Sequence, residues 1–223
     1  MNAGLADRYA QVKAMLPPQV TLVAVSKTRT VEEIRALYDL GHRAFGENYP
    51  QELRAKQPLL PADIEWHFIG HLQRSNAKHV VHIAHLIHGV DGEKLAEEVE
   101  KRAAAAGRVC DILLQVHIAQ EETKHGLTPE EVLQAVATWP WAAWPHVRCR
   151  GLMGMATNTA DQALVKQEFT RLNALFVQIR DSAAFPTDQF NVLSMGMSGD
   201  LDLAVAAGSN LVRVGTALFG DRG

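Results

Sequence analysis

Lys27 closes the apolar, β-branched run Val20-Thr21-Leu22-Val23-Ala24-Val25-Ser26-Lys27. Such a run reads as a buried strand. An amine held at its carboxyl end, beside apolar walls, loses part of its charge to desolvation and can then attack a carbonyl. Lys27 is therefore a Schiff-base candidate, against the alternative of a solvated lysine in the loop that follows. Two later stretches offer an anion site. Leu193-Ser194-Met195-Gly196-Met197-Ser198-Gly199-Asp200 leaves a strand and enters a helix expected to reach about Ala207. Its glycines permit close backbone approach, Ser198 is expected to cap the helix, and the first N–H groups would point at an anion. Val212-Arg213-Val214-Gly215-Thr216 repeats the arrangement, with a glycine and a hydroxyl before a turn of helix. Two such amide nests together with Lys27 favour a small phosphorylated carbonyl compound. Pyridoxal 5'-phosphate fits, with an aldehyde for Lys27 and a phosphate for the cradle. Arg213, a permanent cation between the two loops, would face the pyridine nitrogen, disfavour its protonation and weaken the ring as an electron sink.

These residues need a scaffold that gathers strand ends at one face. Short apolar runs alternate with helix-period segments, the pattern of repeated βα units around a parallel sheet. The expected strands are Thr21 to Ser26, Ala44 to Glu47, Glu65 to Ile69, Leu86 to Val90, Asp111 to His117, Arg150 to Met155, Gln189 to Met195 and Leu211 to Val214. Eight strands close a (β/α)8 TIM barrel, whose ligands bind at the carboxyl ends and whose phosphate sites favour the loops after strands seven and eight. An open doubly wound sheet is the alternative. Expected helices run from Val31 to Leu40 after Thr30, from Gly92 to Ala106, from Pro129 after Thr128, and from Asp161 to Arg180. No linker or low-complexity tract interrupts the chain, so residues 1–223 read as a single domain, with residues 1–19 forming an extra helix, Leu5 to Met15, and a connection. Lys27, Glu47, Asn48, His71, Asp91, Ser198, Arg213 and Thr216 all fall at expected strand ends.

Competing constellations are weaker. His67, His71, His79, His82, His85 and His88 recur at short spacing, but a helical face would break at the expected strand from Leu86, so solvent-facing or capping histidines are expected and no metal site. Gly196-Met197-Ser198-Gly199 is one residue too short for a nucleophile elbow. GxGxxG and GxxxxGK[ST] loops are absent. Trp139, Trp141 and Trp144 are expected to seal the base of the barrel, with an exposed docking patch as the alternative.

With 47% hydrophobic and 21% charged residues, a net charge of -3 and a pI near 6.4, the chain has no broad basic field for nucleic acid or anionic lipid. Cys110 and Cys149 have neither a disulfide-framework nor a zinc-cluster spacing. No signal peptide or bilayer-length apolar run is read, so a cytoplasmic location is expected, with neither nucleic acid nor membrane as partner.

The sequence resembles the YggS/PROSC-type pyridoxal-phosphate homeostasis proteins, relatives of the alanine racemase N-terminal barrel. Six motifs carry the likeness in order: Leu22-Val23-Ala24-Val25-Ser26-Lys27-Thr28, Phe45-Gly46-Glu47-Asn48-Tyr49, Trp66-His67-Phe68-Ile69-Gly70, Arg150-Gly151-Leu152-Met153, Leu193-Ser194-Met195-Gly196-Met197-Ser198 and Val212-Arg213-Val214-Gly215-Thr216-Ala217-Leu218-Phe219-Gly220. The resemblance implies a single-domain barrel that carries pyridoxal 5'-phosphate as an aldimine on Lys27, in cofactor homeostasis, buffering or delivery rather than turnover. It implies phosphate near Ser198, Gly215 and Thr216, the ring nitrogen near Arg213, and a pocket lined by Asn48, His67 and Met195. Lys124 matches a family lysine that assists cofactor handling, against a solvated loop lysine. The turn His71-Leu72-Gln73-Arg74-Ser75-Asn76-Ala77-Lys78 departs from the family's Asn-Lys pair. Apo forms of pyridoxal-phosphate enzymes are the expected recipients, and a monomer is expected. An amino-acid racemase or lyase is the alternative; alanine racemases need a second domain with an opposing tyrosine, and no segment for it is read here. A third reading is an interaction module docking through Trp139 to Trp144.

Overall fold

The apolar run before Lys27 forms β1 (Thr21–Val25), and seven parallel strands follow it: β2 (Ala44–Glu47), β3 (Glu65–Phe68), β4 (Leu86–Val90), β5 (Cys110–Val116), β6 (Val147–Gly154), β7 (Val192–Ser194) and β8 (Leu211–Val214). In this computed structural model they hydrogen-bond in chain order, and β8 pairs with β1 from Thr21↔Leu211 to Ala24↔Val214, so the sheet is a closed barrel rather than an open one. The structure describes residues 3–220; Met1, Asn2 and residues 221–223, which the one-domain reading includes, lie outside it. Between the strands run α1 (Ala3–Met15), α2 (Val31–Asp39), α3 (Pro50–Lys56), α4 (Arg74–Val80), α5 (Glu93–Ala105), α6 (Pro129–Thr138), α7 (Gln162–Asp181), α8 (Leu201–Ala206) and α9 (Thr216–Phe219).

The two-residue period of a strand sends alternate side chains inward and outward. Inside, Val23, Ala44, Leu86, Leu113, Met153 and Leu211 fill the barrel. Outside, Leu22, Phe45, Phe68, Ile87, Ile112 and Leu193 meet the helices in a second, larger apolar layer. Burying each such side chain contributes about 1.5–3 kcal/mol, which is why barrel and helix ring form together. Helix starts are fixed locally. Thr30 and Thr128 build reciprocal capping boxes with Glu33 and Glu131, and Asp161 accepts from the N–H groups of Ala163 and Leu164.

Most strand ends fall within one residue of the sequence reading, and two strand starts differ by more. β6 begins three residues early at Val147, because a register shift beside Ile112 and Leu113 of β5 lets pairing continue past Gly151. β7 begins late at Val192, because the N–H groups of Gln189 and Phe190 donate to the Pro186 carbonyl in a turn instead of joining the sheet. Trp139, Trp141 and Trp144 lie just before β6, hence at the amino-terminal face. Their rings meet at centroid distances of 5.4 to 6.2 Å and pack against the core, as expected of a seal. No described helix is long and apolar enough to cross a membrane.

Candidate functional site

Lys27 follows β1 directly, half-buried at the carboxyl-terminal mouth of the barrel. The neighbouring strand, β8, is followed by Gly215, where a Cβ would lie 3.4 Å from Val25, so the phosphate-candidate loop abuts the strand that leads to the lysine. Ser198 behaves differently from the helix cap expected of it. α8 starts three residues later, after Asp200, and the Ser198 hydroxyl instead accepts the N–H groups of Gly215 and Ala217, both at 3.4 Å. Asp200 takes over the turn, accepting the Met197 N–H at 2.6 Å. The chain can make this turn because Gly196 has φ +99°, and a Cβ there would lie 2.5 Å from the Ala204 methyl group. Two backbone donors from the β8 loop thus converge on one oxygen contributed by the β7 loop. The space beyond Gly199 is open to 4 Å. An oxyanion-rich group such as phosphate fits this donor set.

Beneath the mouth, a polar chain crosses the apolar interior. Arg213 donates to Ser194 Oγ and to the Gly154 carbonyl, Ser194 Oγ lies 3.0 Å from His88 Nδ1, and His88 Nε2 lies 2.9 Å from His67 Nδ1. Because guanidinium can only donate, Ser194 passes its own hydrogen to His88 Nδ1, and His88 donates from Nε2 to His67 Nδ1. Both imidazoles are then neutral, which matches their burial: desolvation holds His67 down to about 3 and His88 well below the usual imidazole range. Arg213 is 4% exposed, and burial lowers it to about 10, with Asp200 opposing, so it stays a cation at neutral pH.

Behind Lys27 lies a second polar cluster that sequence reasoning missed. Lys56, at the end of α3, donates to the Ser26 carbonyl at 2.9 Å, to Glu47 at 2.9 Å and to Glu52 at 2.6 Å, and the Ser26 hydroxyl donates to Glu47 at 2.7 Å. Glu47 faces outward into this cluster, away from the mouth. Burial raises its carboxyl and Lys56 pulls it back. The only sequence signal was the Glu52–Lys56 spacing of four on a helix.

The expected site residues are partly brought together. Lys27, Asn48, Ser198, Gly215 and Thr216 follow β1, β2, β7 and β8 at the mouth, and Arg213 lies in β8 below them. Two expected lining residues lie elsewhere. Met195 packs in the outer apolar layer, because alternation sends Ser194 inward and its successor outward. His67 does point inward, but low in the barrel. It borders a cavity of about 150 Å³ with Thr21, Glu65, Leu86 and Leu211, residues that begin their strands. His67 and His88 are thus core residues, contrary to the solvent-facing expectation, whereas His82 does cap α4 by bonding the Lys78 carbonyl. Lys124 is anchored rather than solvated, donating to the Ala156 carbonyl at 2.6 Å and pairing with Glu121 at 3.0 Å. The departing turn, residues 71–78, runs into the first turns of α4.

Residues 3–223 match the family described as alanine racemase, N-terminal domain. A pyridoxal phosphate homeostasis protein of Pasteurella multocida is 38% identical over 208 residues, covering 91% of this chain and 87% of that protein. PipY of Synechococcus elongatus, solved with and without pyridoxal phosphate, superposes with TM-scores of 0.87 and 0.90 at 36% and 37% identity, over 97% of this chain and all of that one. An alanine racemase of Clostridium difficile shares the fold with a TM-score of 0.80 at 13% identity, but this chain covers 56% of it. Barrel, motif order and full-length likeness agree, and the chain belongs to the pyridoxal phosphate homeostasis protein family, built on the alanine racemase N-terminal domain.

Proposed function

We propose that this chain binds pyridoxal 5'-phosphate reversibly through Lys27 and buffers the cofactor in the cytoplasm or delivers it to apo-enzymes, without turnover of an amino acid. The observation that carries the reading is the convergence of the Gly215 and Ala217 N–H groups on one oxygen beside the strand that presents Lys27. That arrangement supplies an anion cradle and an amine at adjacent strand ends of one barrel. The PipY structure with the cofactor bound, over the same length of chain, supports it.

When bound, the cofactor would supply an aldehyde, an electrophile for the amine of Lys27. The remaining roles belong to this chain. Ser198, Gly215 and Thr216 would hold the phosphate with hydroxyl and amide donors. Arg213, its position locked by Ser194 and the Gly154 carbonyl, would face the ring as a fixed cation. Since guanidinium has no lone pair to offer and no proton to lose at neutral pH, it keeps a neighbouring nitrogen unprotonated. Asn48, directly after β2, would line the pocket. Lys56 fixes the Ser26 carbonyl and with it the backbone that aims Lys27.

Titrating pyridoxal 5'-phosphate into the protein should shift the cofactor's visible absorbance at one equivalent. Borohydride should then fix the added mass on the peptide containing Lys27. Lys27→Ala should abolish both signals while leaving the far-ultraviolet circular dichroism unchanged. A wild-type spectrum that stays that of free cofactor would end the proposal.

A further inference from the structure

The barrel mouth has a second polar face, opposite β8 and β1. His71, Asp91 and His125 follow three successive strands, β3, β4 and β5, and their ligating atoms all lie within 4.8 Å of one another. His71 Nδ1 is 3.3 Å from Asp91 Oδ2, and the His71 and His125 rings stack at 3.9 Å between centroids with 15° between planes. Among the described residues this is the group in which three such side chains converge. The histidine recurrence read from the sequence could not find it, since Asp91 and His125 come from other loops and only the pairing of β3, β4 and β5 brings them to His71.

We propose that His71, Asp91 and His125 form a binding site for a divalent transition-metal cation of the zinc class. Two neutral imidazoles and one carboxylate are the donor set such ions prefer, and three protein ligands leave a coordination position open for water or a further ligand. The site carries one negative charge against the ion's two positive ones, and the nearest lysine in sequence does not cancel it. Lys124 is already committed to Glu121 and the Ala156 carbonyl. The backbone under the ligands is fixed. The Leu127 N–H donates to the Gln115 carbonyl at 2.8 Å, and the Gln115 amide donates to the His125 carbonyl at 2.9 Å, so the β5 loop folds back on its own strand. Parallel rings set their edge nitrogens side by side. Zinc–nitrogen bonds of about 2.0–2.1 Å place tetrahedral donors roughly 3.3 Å apart, a closure that side-chain rotation of the two exposed imidazoles supplies. Competing soft ligands are out of reach, because both cysteines are buried. An ion here would cross-link three βα loops and clamp the segment that carries Lys124. The proposal stands on these three side chains and is independent of the cofactor reading.

Zinc titrated calorimetrically into the full chain should show one tight equivalent, and cobalt should give the visible absorption of a low-symmetry four- or five-coordinate ion. His71→Ala, Asp91→Asn and His125→Ala should each weaken the zinc equivalent at least tenfold and erase the cobalt bands. His82→Ala, which removes an exposed histidine just after α4, should change neither. Circular dichroism and the thermal melting of the same variants report that they fold. Absence of a saturable equivalent in the wild type, or binding that the three substitutions leave within twofold, would overturn the site.

Discussion

Lys27 is aimed by a neighbour that no motif announces. Lys56 is 9% exposed at its side chain and Glu47 is fully buried, so their ion pair is sealed from water behind the strand. Removing the cation strands a carboxylate whose desolvation already raises its pKa. Such losses cost about 3–5 kcal/mol, whereas neutralising both partners costs far less. Lys56→Met should therefore lower the urea midpoint severely, and Lys56→Met with Glu47→Gln should recover most of it. The double variant should still bind pyridoxal 5'-phosphate more weakly than wild type, because the Ser26 carbonyl has lost its side-chain donor and keeps only the Arg29 N–H, so the residue after it is less firmly held. Equal cofactor affinity in the double variant and the wild type would show that Lys56 serves stability alone. The polar chain from Arg213 to His67 works in the same manner. It tells which nitrogen of each imidazole carries hydrogen, and it holds the guanidinium without any negative partner in direct contact among the described residues.

Helices and strands were legible in proportion to how local their causes are. Thr30 and Thr128 begin helices through side chains three residues away, and both helices start where the sequence reading placed them. Thr128→Ala should cost about 1 kcal/mol and lower the melting temperature by about 2–4 °C in a chain of this size. A scanning-calorimetry shift much larger than that would mean that α6 anchors more than its own first turn. Ser198 shows where local reasoning stops. A serine before a helix is a cap by sequence, but its hydroxyl is claimed by donors from β8, seventeen and nineteen residues on. The same holds for Lys56 with Glu47, and for His71 with His125. Each pairing depends on strand register and on how neighbouring elements pack, which alternating patterns constrain but do not specify. Lys27, Arg213, Gly215 and Thr216 were readable because their strands are continuous apolar runs that end at the mouth. Met195 and His67 were misplaced because a motif match assigns a neighbourhood, while strand parity and depth in the barrel decide which way a side chain faces.

At the scale of the whole molecule, the barrel keeps three histidines neutral by burial, and this sets its response to acid. His42 is held down to about 4 and His67 to about 3, with His88 lowered as well; in every case desolvation is the leading cause. The unfolded chain takes up protons at these positions as pH falls through about 6.5 while the folded chain does not. Their contribution to stability is thus complete above that pH and drains away towards the folded values. Glu47 and Asp200, raised by burial, work in the opposite sense, so the net curve alone does not isolate the histidines. A difference measurement does. His42 lies between Tyr9, whose hydroxyl is 3.4 Å from Nδ1, and the Ala44 carbonyl, 2.7 Å from Nε2, with Lys13 and Arg43 as the nearby cations. Between pH 7 and pH 5 the wild type should lose about 2 kcal/mol through this residue alone, from the proton taken up on unfolding. His42→Gln, which can still donate to Ala44 but cannot titrate, should start less stable at pH 7 and fall less steeply by that amount in urea denaturation. Parallel curves for the two proteins would mean that acid enters the folded barrel and protonates His42 in place.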